Sequence, residues 1–585
     1  MNSLFSSVDT IWVLLGATLV FFMQAGFAMV ETGFTRAKNA GNIIMKNLMD
    51  FCIGTLVFWF LGFGLMFGKD VGGIIGVPDL FIRNDYASIK DLSFPTPAFV
   101  IFQTVFCATS ATIVSGAMAE RTKFSSYCIY SAIISLVIYP ISGHWIWGDG
   151  WLAQLGFHDF AGSTAVHMVG GVAALIGAKI LGPRIGKYGK NGESRAIPGH
   201  NLTVGALGVF ILWFAWFGFN GCSTVSMTGD DTLISAASIF TTTNMAAAAA
   251  TVVVMIATWV RYKKPDVSMT LNGSLAGLVA VTAGCDQVSI TGAFFIGVIA
   301  GFIVMYGIEF IDKVLKIDDP VGAVGVHCLC GASGTILTGL FSTTDGLLYG
   351  HGFHFLGIQI LGVVSVIAWV TVTMIIVFTL IKKTVGLRVS REEEIIGLDI
   401  QEHGLQSSYA DFMIGDGIAA ASARTITPAN IITPEPVASE VAPEESSATN
   451  VTAPVSNAVS APASTLNKVV IITRQNKLDE LIQGLSQIGV TGVTITNVLG
   501  CGVQKGASRY YRGVEVEMNL LPKVKAEVVV SKVPVSLVVS TAQKILHTGN
   551  IGDGKIFVYH MDNVIKIRTG EEGVLALQDT DAPKK

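Results

Sequence analysis

Residues 165–171 read AVHMVGG, and residues 325–331 read GVHCLCG. Each stretch sets one histidine among small residues inside a long apolar run. Because an ionisable side chain at membrane depth is costly and marks function by default, His167 and His327 are the first candidate site residues. The competing interpretation is two unrelated core histidines, each bound to a backbone carbonyl. Matched surroundings at two places make that alternative weaker than it is for a lone histidine.

Apolar stretches long enough to cross a bilayer, about 20 residues each, recur from the start of the chain to about Lys382. Eleven are predicted, centred near residues 20, 55, 108, 134, 172, 211, 246, 277, 301, 334 and 367. The composition agrees, since 14% of the 585 residues are charged against about 25% in soluble proteins. The first stretch has no preceding basic region and no small-residue cleavage site, so it is expected to be a retained helix.

The two histidine motifs fall in the fifth and tenth stretches, which suggests a repeat of five helices. Because five is odd, two such halves have opposite orientations, and an inverted repeat places its site between the halves near mid-membrane. The sequence therefore predicts an α-helical integral membrane protein of eleven transmembrane helices with a 5+5 inverted repeat. Imidazoles that face each other between the halves can line a narrow pore and pass a proton.

Basic residues fall in alternate connections between the apolar stretches. They are Arg36, Lys38, Arg121, Lys123, Arg184, Arg195, Arg261, Lys263, Lys264, Lys313, Lys316, Lys382 and Lys383. Residues 69–90 are an exception, because acidic residues offset the three basic ones there. Since cytoplasmic connections carry the excess of Lys and Arg, we expect a multi-pass protein of the cytoplasmic membrane with its N-terminus outside and its C-terminus in the cytoplasm.

The chain changes character after the last apolar stretch. Residues 386–412 are polar and form a predicted cytoplasmic tail of the membrane part, residues 1–385. Residues 413–465 are rich in Ala, Pro, Ser and Thr and are expected to be a disordered linker with a reach of about 40 Å. Residues 466–585 follow a strand–helix–strand–strand–helix–strand pattern, which predicts a soluble domain.

Aromatic side chains gather where the outer mouth of a pore is expected. They are Phe102, Phe106, Trp147, Trp216 and Phe219, and Ser223 follows them. Any one of them can equally serve packing or an interfacial belt. Together they predict a vestibule that holds a small cation by cation–π attraction, with the Ser223 hydroxyl as a hydrogen-bond acceptor. Asp159 either attracts the cation or caps the fifth helix and orients the site, and we favour the second role.

Other functional classes find little support in the sequence. The net charge of −4 argues against nucleic acid as a partner, which calls for a basic face. The eight cysteines are scattered, and Cys328 and Cys330 point to different faces of a helix, so neither a disulfide framework nor a zinc site is expected. We find no nucleophile–base arrangement and no complete set of metal ligands, so neither an enzyme nor a cofactor for transport is predicted.

Four motifs carry a family resemblance: DFAGSTAVH at 159–167, WFGFNGCS at 216–223, IVSGAMAER at 113–121 and DDPVGAVGVH at 318–327. They resemble the Amt/Mep/Rh ammonium transporters over residues 9 to about 412. The resemblance implies a homotrimer with one pore per subunit.

The same resemblance implies roles for individual residues. Phe106, Trp147 and Ser223 match the outer ammonium site, beside Phe102 and with Asp159 near the entrance. Phe106 and Phe219 match a stacked gate, while His167 and His327 match a twin-histidine pair in the pore.

A second set of motifs lies in the C-terminal region. They are GCGVQKG at 500–506, YRG at 511–513, LPKVK at 521–525, TGNIGDGKIFV at 548–558 and IRTG at 567–570. They resemble the PII signal-transduction family over about 110 residues. The resemblance implies an α+β ferredoxin-like trimer that binds adenine nucleotide in clefts between subunits. It also implies a flexible regulatory loop, about residues 503–519 with Arg512 and Val516, that can enter the cytoplasmic mouth of a transporter.

The predicted nucleotide site combines glycines, whose backbone N–H groups can approach phosphates, with charged or polar side chains. Its members are Gly500, Gly502, Gln504, Lys523, Glu527, Gly552, Gly554, Lys555 and Arg568. Val503 and Lys566 stand where the family usually has arginine, so ADP or AMP is expected as an effector beside ATP. Gln504 matches a family contact for Mg²⁺ and 2-oxoglutarate, so the resemblance also admits these two as ligands. Val516 replaces the tyrosine that is often uridylylated, so that switch is expected to be absent.

These observations predict an ammonium transporter regulated by its own PII-like domain. Ammonium and potassium have similar sizes, so pore size alone selects poorly between them. A dry pore imposes a large desolvation cost on any ion, whereas ammonium that loses a proton passes as neutral ammonia. The alternative is an ammonium receptor that transports little and signals through the PII domain.

Overall fold

The computed structural model describes residues 5–84, 86, 92–405, 466–474, 477–500, 509–511, 514–516, 521–549 and 552–577. The predicted linker at 413–465 lies outside the described residues, and so do Gly502, Gln504 and Arg512.

The N-terminal part is a bundle of long apolar helices. Ten helices in its described residues are long and apolar enough to cross a membrane, and an eleventh apolar helix is shorter. In chain order they are α1 Ser7–Phe34, α2 Ala37–Phe67, α3 Thr96–Ala117, α4 Phe124–Gln154, α5 Ser163–Leu181, α6 Leu202–Thr224, α7 Asp230–Tyr262, α8 Val267–Val281, α9 Ile290–Val314, α10 Val324–Phe341 and α11 His354–Thr384. A small antiparallel pair, β1 Asp70–Val71 and β2 Ile75–Gly76, lies between α2 and α3. Each of the eleven predicted centres falls inside one helix, and α8 has only 15 residues.

Several of these helices begin at a capping side chain. The Asp266 carboxylate accepts the N–H of Met269 at 3.0 Å at the start of α8. The Ser289 hydroxyl accepts the N–H of Gly292 at 3.0 Å at the start of α9. Such caps satisfy N–H groups that have no partner within the helix, so short polar residues between apolar runs fix where the helices start.

Six of the bundle helices contain a π-helical stretch. These stretches are Phe58–Gly62, Ile134–Ile138, Ser163–Met168, Phe217–Gly221, Phe310–Val314 and Val324–Leu329. The stretches at the starts of α5 and α10 contain His167 and His327. Widened turns of this kind recur at functional sites because they change where a side chain points.

The turns that lead into α5 and α10 are alike. Asp159 and Asp319 each stand eight residues before a histidine and accept backbone N–H bonds at the helix start. Gly162 and Gly322 have φ of +114° and +85°, a left-handed conformation that glycine adopts without steric cost. Such matched turns are what a repeat predicts, and the inverted 5+5 arrangement stays a prediction.

The tail after α11 folds back onto the bundle through two short helices, α12 Arg391–Ile396 and α13 Leu398–His403. The Glu394 carboxylate accepts from Arg388 and from the Ile185 N–H, each at 2.7 Å. The Asp399 carboxylate accepts the N–H groups of Gly41 and Asn42 at 3.0 and 2.8 Å. We call this end of the bundle, where α1, α5 and α11 finish, the tail end.

The C-terminal part is a separate α+β unit. Its elements are β3 Asn467–Arg474, α14 Leu478–Gln487, β4 Thr494–Gly500, β5 Arg509–Tyr511, β6 Val514–Val516, β7 Leu521–Val530, α15 Val535–Leu546 and β8 Lys555–His560. Four strands form an antiparallel sheet in the order β4-β7-β3-β8, while β5 pairs with β6. This is the ferredoxin-like βαββαβ arrangement, as predicted. Apolar residues one turn apart on each helix, such as Leu481 and Leu485, are buried against the sheet.

Candidate functional site

The two candidate histidines are in direct contact. The Nδ1 atoms of His167 and His327 lie 3.3 Å apart, and the ring centroids lie 5.2 Å apart with an angle of 27° between the rings. An Nδ1···Nδ1 hydrogen bond requires one donor and one acceptor, so one imidazole donates its Nδ1–H to the Nδ1 of the other. The Nε2 of His167 is buried and has no hydrogen-bond partner among the described residues.

Glycines allow the two histidine helices to meet this closely. A Cβ added to Gly171 of α5 would lie 2.2 Å from the backbone nitrogen of Cys328 in α10. A Cβ added to Gly331 of α10 would lie 2.6 Å from the carbonyl oxygen of Ser163 in α5. Only small residues permit such an approach of two helix backbones, and the sequence motifs contain them on both sides.

Two aromatic rings of α6 enclose His167. Trp216 stacks on the imidazole with centroids 4.9 Å apart, and Phe219 lies 5.2 Å from the same ring. The Trp216 indole N–H donates to Thr282 at 2.9 Å, which fixes the ring. The sequence grouped Trp216 with the outer aromatics, but the structure places it against the histidine pair. Its spacing of three residues from Phe219 is the signal, because such residues share one helix face.

Further rings extend this arrangement away from the tail end. Phe106 packs on Phe219 with centroids 4.3 Å apart and 33° between the rings, and the role of this pair as a gate stays a prediction. Trp147 approaches Phe106 edge to face at 6.4 Å, and Phe102 lies 4.8 Å from Phe106. The rings of Trp147, Phe106, Phe219, His167 and His327 thus form one continuous column, which we call the ring column. Phe102 is buried beside it.

The predicted outer site also contains polar groups. The Ser223 hydroxyl donates to the Phe219 carbonyl at 2.7 Å, so its oxygen keeps lone pairs for a further donor. The Trp147 indole N–H donates to the Asp159 carbonyl at 2.7 Å. Trp147 is therefore held in place by the turn that starts α5.

The Asp159 carboxylate is occupied by the backbone of α5. It accepts the N–H groups of Gly162 and Ser163 at 2.9 Å and those of Thr164 and Ala165 at 2.8 Å. Four such bonds use the acceptor positions of both oxygens. The geometry favours a capping and orienting role for Asp159 over direct contact with a cation.

The ring column continues on the tail-end side of the histidines into a small cavity. Phe27 of α1 lies 5.9 Å from the His327 ring. The cavity is lined by Phe27, Glu31, Gly116, Asn272, Val321 and His327, among others. Sequence reasoning gave neither Phe27 nor Glu31 a role. No local pattern marks them, because α1 is apolar on nearly every side.

In the C-terminal unit, several predicted nucleotide-site residues converge on the loop before β8. Lys523 of β7 donates to the Gly552 carbonyl at 3.1 Å. Gly552 and Gly554 have φ of +111° and +118°, and a Cβ on Gly554 would lie 1.9 Å from the Ile472 carbonyl oxygen. Lys555 follows at the start of β8. Glycine is therefore required at position 554 by both conformation and space.

Glu527, a further predicted member of that site, lies apart from this loop within one chain. Glu527 forms ion pairs with Lys468 at 3.0 Å and Lys525 at 3.3 Å. It stands four residues from Lys523 along β7, roughly 13 Å. Gly500 ends β4 beside Leu521, Val516 ends β6, and Arg568 lies in the turn after β8.

The model of the Ammonium Transporter Family matches residues 11–408. The chain belongs to that family. The model of the Nitrogen regulatory protein P-II matches residues 466–571, so this ammonium transporter family member carries a C-terminal P-II domain. Both predicted resemblances are confirmed.

Individual relatives agree. Ammonium transporter Amt2 of Archaeoglobus fulgidus is 47% identical over 426 residues, covering 68% of this chain and 87% of that protein. Ammonium transporter Amt1 of Haloferax mediterranei is 39% identical over 430 residues, covering 70% and 81%. Among solved structures, a Sensor Amt Protein superposes with a TM-score of 0.65 at 42% identity, covering 69% of this chain and all of that one. Candida albicans Mep2 superposes with a TM-score of 0.61 at 26% identity, covering 67% and 88%.

Proposed function

We propose that this protein transports ammonium across the cytoplasmic membrane along the ring column, under the control of its own P-II domain. The observation that carries the proposal is the buried His167–His327 contact at 3.3 Å, reached through the stacked rings of Phe106 and Phe219. The substrate, ammonium, is inferred from the family to which the chain belongs. The ring column supplies a route too narrow and too apolar for a hydrated ion.

Selectivity follows from the order of groups along the route. Trp147, Phe106 and Ser223 hold the cation at the outer end by cation–π attraction and a hydrogen bond. Phe106 and Phe219 exclude water, so the cation must give up a proton before it passes. Neutral ammonia then moves along the histidine rings. The shared Nδ1 contact gives the released proton a path along the same pair, in which case current accompanies transport.

The proposed assembly is a homotrimer with one pore per subunit. We place the N-terminus outside and the tail end in the cytoplasm, because the connections at the tail end are the basic ones. Lys38 there donates to the carbonyls of Glu394 and Ile395, each at 2.6 Å. The proposed divisions of the chain are a membrane domain at 1–385, a tail at 386–412, a linker at 413–465 and the P-II domain at 466–585.

The proposed effector of the P-II domain is an adenine nucleotide, ADP, ATP or AMP, with Mg²⁺ and 2-oxoglutarate as further ligands. Lys523, Gly552, Gly554 and Lys555 supply a positively charged loop whose N–H groups can approach phosphate oxygens. Gly500, Gly502, Gln504, Glu527 and Arg568 complete the proposed site, which would form between subunits. The loop that contains Arg512 and Val516 is proposed to act on the cytoplasmic mouth of the pore.

The deciding experiment is electrophysiology of the purified full chain on a solid-supported membrane. A transporter gives a current after an ammonium jump and none after an equal potassium jump. The second candidate function is an ammonium receptor, which the similarity to a Sensor Amt Protein favours. A receptor gives no current, but ammonium then changes the affinity of the P-II domain for nucleotide.

A further inference from the structure

The cavity on the tail-end side of the histidine pair contains a buried carboxylate. On α1, Glu31 stands four residues after Phe27, one helical turn nearer to the tail end and on the same face. Phe27 contacts the His327 ring, and both residues line the cavity together with Glu31. The side chain of Glu31 is 2% exposed. An acid therefore stands where the ring column ends.

The structure fixes one oxygen of this carboxylate by hydrogen bonds. The Oε2 atom accepts from the Ser115 hydroxyl at 2.7 Å and from the Asn47 amide at 3.2 Å. Among the described residues, no hydrogen bond to Oε1 is found. Gly116 keeps the space beside the carboxylate open, because a Cβ there would lie 2.4 Å from Val321 and 3.6 Å from the Glu31 carboxyl carbon.

Two further ionisable side chains are buried near Glu31. Lys46 and Asp50 of α2 are buried beside it. The Lys46 ammonium contacts the Ser115 carbonyl at 3.5 Å and lies 5.3 Å from the Tyr127 ring centroid. The Asp50 carboxylate accepts from the Tyr127 hydroxyl at 2.5 Å. Of these three ionisable side chains only Glu31 lines the cavity, and a buried carboxylate is costly unless it is paired.

We propose that Glu31 forms an inner ammonium site, which holds the cation that re-forms after ammonia has passed His327. This inference rests on the proposed transport function and extends it to the exit of the pore. Ammonia takes up one proton there, either from the histidine pair or from a hydronium ion, and becomes ammonium. If the histidine pair supplies the proton, one imidazolium N–H bond breaks as the new N–H bond of ammonium forms, and the pair is left neutral; if hydronium supplies it, water is left. The Oε1 atom then accepts one of the four N–H groups in a charge-assisted hydrogen bond.

The test compares the two sides of the membrane. Currents of the full chain, at fixed nucleotide, are measured in inside-out and outside-out patches. We expect Glu31→Gln to raise the half-saturating ammonium concentration on the tail side about tenfold, because a charge-assisted hydrogen bond is lost. The outer value should stay within about twofold. Asp50→Asn removes the other carboxylate of this cluster, which does not line the cavity, so it should raise the tail-side value less than Glu31→Gln does.

Two further measurements test the inner site even if Glu31→Gln does not fold. If Glu31→Gln fails to elute as a folded oligomer, Ser115→Ala should give a smaller rise on the tail side, because it removes the bond that orients the carboxylate. Crystals of the full chain soaked in thallous acetate should show anomalous density beside Oε1 in the unsubstituted protein and none in Glu31→Gln. A wild-type protein without current refutes the transport function, while the thallium peak still decides the inner site. Absence of that peak, or an equal rise on both sides, overturns the inference.

Discussion

The turns that start α5 and α10 use the same backbone device in different surroundings. Both contain a capping aspartate, a glycine with positive φ and a π-helical stretch that ends near a histidine. His167 is enclosed by the rings of Trp216 and Phe219, whereas His327 borders the cavity that Glu31 lines. The same backbone turn can therefore occur on both sides of a directional route. The side chains around His167 make one side of the histidine pair dry and aromatic, and those around His327 make the other side acidic.

Replacing both histidines with leucine should have the largest effect, because it removes the polar atoms of both turns at once. We expect loss of ammonium current, or transport without charge, in a protein that still elutes as a folded oligomer. Solid-supported-membrane currents and size-exclusion chromatography measure the two properties. Wild-type current in the double variant would refute the role of the pair.

Replacing each capping aspartate with asparagine should destabilise the two turns to different extents. Asparagine has one acceptor oxygen, so Asp159→Asn deprives about two N–H groups of their acceptor, at about 1–3 kcal/mol each. Asp319 accepts the N–H groups of Gly322 and Val324 at 2.9 and 2.8 Å, so Asp319→Asn should cost about half as much. Thermal unfolding of both variants checks the difference. Equal losses would mean that the two turns are energetically alike.

Phe106→Ala removes a ring only on the aromatic side of the histidine pair. The ring is both gate and cation–π wall in the proposed function, so we expect potassium to carry current while the melting temperature changes less than in Asp159→Asn. Phe102→Ala is the control, since that ring lies beside the column and contacts Phe106. Unchanged selectivity in Phe106→Ala would leave the ring with a packing role.

Removing the P-II domain should leave both turns intact. Truncation after Phe412 is expected to preserve ammonium current and abolish its dependence on adenine nucleotide. Lys555→Ala in the full chain should weaken nucleotide binding about tenfold, since a charged hydrogen bond to phosphate is lost, with basal current retained. Nucleotide titrations of the current test both variants. A truncated protein that still responds to nucleotide contradicts control in cis.

Much of this architecture could be predicted because its signals are local. Eleven apolar runs give eleven helices, and the shared motifs give two histidines in contact. The position of Trp216 could be predicted only in part: its spacing from Phe219 puts both rings on one face of α6, but α6 is apolar all round and does not show which face meets the pore. Glu31 becomes informative only once α1, α3 and α10 are packed together. Glu527 was grouped with Lys523 by resemblance, but strand spacing separates them within one chain.

The turns that start α5 and α10 also differ in the residue that precedes each capping aspartate. Before Asp159, His158 contacts Asp286 at 3.0 Å, and before Asp319, Asp318 pairs with Arg184 at 2.9 Å. Although burial alone lowers the pKa of His158, the Asp286 carboxylate raises that pKa above its usual range. Burial also opposes ionisation of Asp318, yet Arg184 and Arg121 hold its pKa well below the usual range. Of the two pairs, the first therefore contains a group whose ordinary pKa lies near neutrality, the His158 imidazole.

Asp286→Asn should consequently destabilise the protein in a pH-dependent manner. Because the pKa of His158 is raised in the folded state, its stabilisation is fully present below the unfolded pKa of about 6.5. It is lost as the pH rises through the folded value. We expect the melting temperature of Asp286→Asn to lie about 1–2 °C below wild type at pH 6, with the difference disappearing at alkaline pH. His158→Gln should remove this pH dependence, and a difference that grows with pH would contradict the pairing.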